Sequence, residues 1–147
     1  MLLDRSLLQS SFDGIRRQTP DLTRRFYDRL IHLHPQVRLV LSRVAFETQE
    51  RLFSEGVVLV LDHINDKLWL ERTLRRFGAR LLAYGATPAM LNVFGDCLLA
   101  MLAEAAGPAW SAGVARAWQQ ALHRTLPLVM PESDRFRARR ARRQGTT

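Results

Sequence analysis

Cysteine is nearly missing from this chain. Cys97 stands alone among 147 residues, which excludes an internal disulfide and any metal site built from several cysteines. No stretch approaches the run of about 18 uncharged apolar residues that a membrane span requires. The segment from Met1 to Ser6 offers no basic region leading into an apolar one, so no secretory leader is expected and a cytoplasmic location is. A glycine-rich phosphate loop, an HExxH helix and a nucleophile elbow are all lacking, as is any internal repeat, so no enzymatic activity is expected. No run alternates apolar and polar residues as a half-buried strand would. What remains is a chain of 47% apolar residues, long enough for one domain with a substantial core.

Charge is distributed unevenly. The net charge is +8, and residues 135 to 143, Arg-Phe-Arg-Ala-Arg-Arg-Ala-Arg-Arg, supply six arginines. With Glu132 and Asp134 subtracted, the stretch from 132 onward carries half of that excess. The expected organisation is a folded body from 1 to 131 and a flexible arginine-rich tail from 132 to 147, able to make weak contacts with polyanions through Arg135 to Arg143.

Helical periodicity accounts for the body. Leu3, Leu7, Leu8 and Phe12 predict a first helix over 4–17. Thr19-Pro20-Asp21 predicts an N-cap with proline at the first helical position, opening a helix to Leu33 that places Leu22, Phe26, Leu30 and Leu33 on one stripe. His34-Pro35 stops it, and a short helical turn through Leu41 follows. Glu47 or Thr48 opens a helix whose inward side holds Leu52, Phe53, Val57, Val60, Leu61 and Ile64. Asn65-Asp66 breaks it. A helix over 67–83 ends at Tyr84-Gly85, Thr87-Pro88 opens another to Ala106, and the last runs over about 110–130 with Pro127 weakening its final turn. Seven amphipathic helices with short connections predict an all-α fold of globin or bundle type.

Several motifs choose between these. Phe26-Tyr27-Asp28-Arg29-Leu30, followed by Pro35-Gln36-Val37-Arg38, resembles a segment of bacterial single-domain globins and of the globin domain of flavohaemoglobins. Gln49-Glu50-Arg51-Leu52-Phe53 resembles the start of that family's distal helix, Gly78 to Pro88 its proximal segment, and Val93 to Leu99 the run that follows. Gln49 and Leu81 fall in register in one ungapped alignment. The resemblance implies a globin-like fold and a haem pocket with Tyr27 and Gln49 on its distal side, since a phenol and an amide can both donate to an oxygen species on iron.

The proximal side departs from the family. Leu81 stands where the resemblance places the histidine that binds the iron, Leu41 where it places a phenylalanine packed on the porphyrin, and Leu91 where it places a tyrosine that orients the histidine. Haem proteins hold iron through an axial His, Cys, Met or Tyr. Of the other residues of those types, His32, His34, His63, His123, Met90, Cys97 and Tyr84 read by position as surface or packing residues. The pocket residues implied are Tyr27, Leu41, Gln49, Phe53, Leu81 and Tyr84, in a degenerate haem site. The expected function is a globin-like sensor or interaction module without conventionally bound haem, its cavity filled or holding an apolar ligand, with an unidentified protein partner or apolar small molecule and scope for a homodimer. The alternative is an atypical haem globin binding oxygen or nitric oxide beside Tyr27 and Gln49. A second alternative is a helical protein that associates with nucleic acid through its basic tail.

Overall fold

The computed structural model describes residues 1–42 and 46–129. The expected boundary at 131 and the basic tail lie outside the described residues. In order come α1 (Arg5–Gln18), α2 (Leu22–Leu33), α3 (Val37–Leu41), α4 (Phe46–Asp62), α5 (Lys67–Ala83), α6 (Pro88–Ala106), a 3₁₀ turn (Gly107–Ala109) and α7 (Ala112–Val129). Among the described residues there is no strand, in keeping with the all-α expectation.

Local side-chain chemistry sets several of the helix starts. Asp4, Asp66 and Thr87 each accept a hydrogen bond from the amide three residues on, at Leu7, Trp69 and Met90, which satisfies donors that a first helical turn leaves open. Thr87-Pro88 thus opens α6 as its sequence predicts. Thr19-Pro20 does not open α2. The Thr19 amide instead closes α1 by donating to the Ile15 carbonyl at 2.9 Å, and α2 starts at Leu22. Asp21 precedes α2 without capping it, because its carboxylate is taken by Arg25 Nε at 3.0 Å. The α4 helix starts at Phe46, slightly before the expected Glu47 or Thr48, and α7 continues through Pro127 to Val129.

The α6 helix is central, packing on α1, α2 and α7. By length and composition alone it is long and apolar enough to cross a membrane, but Cys97, Leu98, Met101 and Leu102 are buried in the core. Phe12 and Phe26 are shut off from solvent almost completely. Trp118 from α7 lies 6.0 Å from Phe12, and its indole N–H donates to Ser11 Oγ at 3.0 Å, so the ring is buried without stranding its polar edge.

A polar clamp ties the N-terminus to the turn after α4. Asn65 Oδ1 accepts from the Leu3 amide at 2.8 Å and from Arg124 Nη1 at 3.1 Å, while its Nδ2 donates to the Leu3 carbonyl. Arg124 also donates to the carbonyls of Ile64 and Met1. Removing the amide leaves the Leu3 N–H without its partner and the Leu3 carbonyl with the Arg5 amide alone, and Leu3 is a buried residue. Asn65→Ala is therefore expected to cost about 1–3 kcal/mol of stability, read from the shift of the urea midpoint at constant slope.

Candidate functional site

Tyr27 lies on α2 beside Phe26, and the aromatic rings around that pair form one packed group. Phe26 is 5.1 Å from Phe53 of α4 in a stacked arrangement and 5.0 Å from Phe94 of α6 edge-on, and the Tyr27 ring is 6.1 Å from Phe53. Such tilted and offset pairs suit the ring quadrupoles. Tyr27 is partly buried against the core, and its hydroxyl makes no hydrogen bond to any described residue. Burial pushes its pKa up to about 12, so the phenol keeps its proton and stays a donor throughout the physiological range.

Gln49 occupies the first turns of α4. Its side-chain amide donates to the carbonyl of Leu41, the last residue of α3. The Gln49 amide thus fastens α4 to the end of α3, and one of its two protons is already committed. Leu41 packs at the margin of the main core. The structure therefore pairs Tyr27 with Phe53 and Gln49 with Leu41.

Leu81 belongs to a different apolar group. Together with Val60, Leu91 and Leu128 it packs against a small buried cluster of Leu70, Leu74 and Val129, formed where α5 meets α7. Leu70, Leu74, Gly78 and Leu81 recur every three or four residues, which places them along one side of the helix. Val60 of α4 touches both clusters and links the two walls. The end of α5 is fixed by backbone geometry. Gly85 has φ +96°, its amide donates to the Leu82 carbonyl, and the Ala86 amide donates to the Leu81 carbonyl at 2.9 Å. This paired closure needs a left-handed residue, which glycine supplies without strain.

Two aromatic residues flank Leu81 on its own side of α5, Phe77 one turn before it and Tyr84 one turn after it. They are 47% and 37% exposed, so this stretch of helix presents apolar rings that no other described element covers fully. Tyr84 caps the helix, and sequence reasoning included it in the pocket. Phe77 was missed, although its place four residues before Leu81 was the available signal.

Leu81 itself does not fit an iron ligand. An axial bond needs a lone pair on nitrogen, sulfur or oxygen, and Leu81 has none. The histidines lie elsewhere. His32 lines an open surface depression with Asp28, Ile31, Pro35 and Arg38, and His34 caps the end of α2. His63 stacks on Trp69 at 4.0 Å with its Nδ1 2.9 Å from the Leu59 carbonyl, and His123 is exposed on α7. Cys97 is buried against the Phe26 carbonyl, and burial raises its thiol pKa. Among the described residues no group of three or more His, Cys, Asp or Glu side chains converges as a metal site.

Comparison with known proteins agrees with this architecture. A family model for globins matches residues 24–127. The chain is 23% identical over 143 residues to a flavohemoprotein of Bordetella pertussis, covering 96% of this chain and 36% of that protein, so it spans about a third of that relative's length. Among solved structures, an engineered carbene transferase built on a candidate nitric oxide dioxygenase of Rhodothermus marinus superposes with a TM-score of 0.70 at 19% identity. That match covers 95% of this chain and 99% of the other.

Proposed function

The chain belongs to the globin family, and on that premise we propose that it is a cytoplasmic sensor or interaction module, not an enzyme, whose site between α4 and α5 takes an apolar ligand in place of a haem ligated from α5. The observation that carries this reading is the setting of Leu81. The position that would hold iron is an alkyl chain packed among Val60, Leu70, Leu74 and Leu91, with Phe77 and Tyr84 on either side along the helix. Such a wall favours a hydrophobic guest through area removed from water, and Leu81 itself offers it no charge or lone pair.

A second reading is favoured by Tyr27. A partly buried phenol with no hydrogen-bond partner among the described residues can donate to a polar ligand brought in from outside. Family membership and the flavohemoprotein relative supply the candidate, a haem globin binding oxygen or nitric oxide with an unconventional proximal ligand or none. The visible spectrum of the purified protein, followed by titration with hemin, separates the two. The expected result is a colourless protein that takes up hemin no more tightly than an unrelated helical protein. A sharp Soret band that shifts on reduction and again on adding carbon monoxide would overturn the first reading in favour of the second.

A further inference from the structure

The α5 helix is strongly basic on its outward side. Lys67, Arg72, Arg75, Arg76 and Arg80 are all exposed, and none of them forms an ion pair or hydrogen bond with any described residue. Glu71 is the only acidic residue within the helix, and it is half-buried. Elsewhere arginines do find partners: Arg16 pairs with Asp13, Arg25 with Asp21 and Arg29 with Glu104. Lys67 follows the spacing of Leu70 and Leu74, whereas the four unpaired arginines, on one helix of 17 residues about 25 Å long, make a dense positive strip on the other side.

Leucines are set within that strip. Leu68 is 57% and Leu82 38% exposed. Leu68, Arg72, Arg75, Ala79 and Leu82 follow a spacing of four, three, four and three, so they lie along one side of α5, away from the stripe of Leu70, Leu74, Gly78 and Leu81. Nucleic acid would engage the arginines but gives exposed aliphatic side chains no favourable surroundings. A bilayer surface serves both, with anionic headgroups for the guanidinium groups and the acyl boundary for the leucines.

We propose that the outward side of α5 docks on an anionic lipid membrane, with Arg72, Arg75 and Arg76 engaging headgroups and Leu68 and Leu82 entering the interface. The test is co-sedimentation of the full chain with vesicles of phosphatidylcholine alone and with vesicles of phosphatidylcholine and phosphatidylglycerol in equal parts. Binding is expected to the mixed vesicles only. The variant Arg72→Gln/Arg75→Gln/Arg76→Gln, which removes no contact to a described residue, is expected to lose about a hundredfold in partition coefficient, given the usual contribution of a basic residue near an anionic surface. Leu68→Ser/Leu82→Ser is expected to keep binding at low salt and to lose the part that survives at high salt. Unchanged partitioning of the arginine variant overturns the proposal. So does loss of all binding when only the six tail arginines are replaced by serine in the full chain. Tight binding to duplex DNA or RNA, with none to the mixed vesicles, overturns it in favour of a nucleic-acid surface.

Discussion

Gly78→Ala is expected to destabilise the domain by about 3 kcal/mol or more, lowering the melting temperature by roughly 10 °C. A β-carbon at Gly78 would sit 1.4 Å from the carbonyl oxygen of Val129 and 2.5 Å from its carbonyl carbon. Both are backbone atoms, so no rotamer change relieves the clash, and α5 and the last turn of α7 must move apart. That movement opens the cluster of Leu70, Leu74 and Val129 on which Leu81 rests. Alanine is the better helix former by about 1 kcal/mol, which works against the loss but does not cancel it. Gly95 provides the internal control. There the β-carbon would meet Leu126 Cδ1 at 2.6 Å, the far end of a flexible side chain that can turn aside. Gly95→Ala should therefore cost far less than Gly78→Ala. Thermal unfolding followed by circular dichroism compares the two, and equal melting temperatures would mean that the α5–α7 crossing is looser than the structure has it.

The contrast between these glycines also marks where the sequence stops being legible. Features written in neighbouring residues read directly. Thr87-Pro88 opens α6, Tyr84-Gly85 ends α5, and the shared register of Gln49 and Leu81 points to the globin fold, because caps, turns and periodicity are local chemistry. Gly78 reads only as a permissive residue inside a helix until the second helix is in place against it. Thr19 shows the same limit on a smaller scale. Its hydroxyl and the following proline favour a helix start, but the backbone amide is used to finish α1, and Asp21 is engaged by Arg25. In the site, the types of Tyr27 and Gln49 indicated donors. The hydrogen bond from Gln49 to the Leu41 carbonyl could not be read, since it depends on how α3 and α4 meet. Phe77 was overlooked because a large apolar residue four positions from another looks like core, and only its exposure says otherwise.

Leu81→His is expected to convert the domain into a haem binder, and the stability of the variant should report it in two opposite steps. Without haem, an imidazole replaces an alkyl chain among Val60, Leu70, Leu74 and Leu91, and a polar group without a partner there costs about 1–3 kcal/mol. The ring is close in size to leucine, and the closure at Gly85 holds the backbone of position 81 in place, so the fold should survive the exchange. Hemin then gives that imidazole its bond, and Tyr27, neutral with a pKa of about 12, stays protonated and able to donate. Ligand that binds only the folded form stabilises it by mass action, by about 2.7 kcal/mol when hemin is present at a hundred times its dissociation constant. The variant should therefore melt below the parent when apo, rise on adding hemin, and show the reduced spectrum of a histidine-ligated globin, whereas the parent should show neither the rise nor the spectrum. A variant that binds hemin no better than the parent would place residue 81 away from the proposed ligand site. It would remove the register on which the apolar-ligand reading rests, and leave the basic outward side of α5, which needs no cavity, as the functional part of this helix.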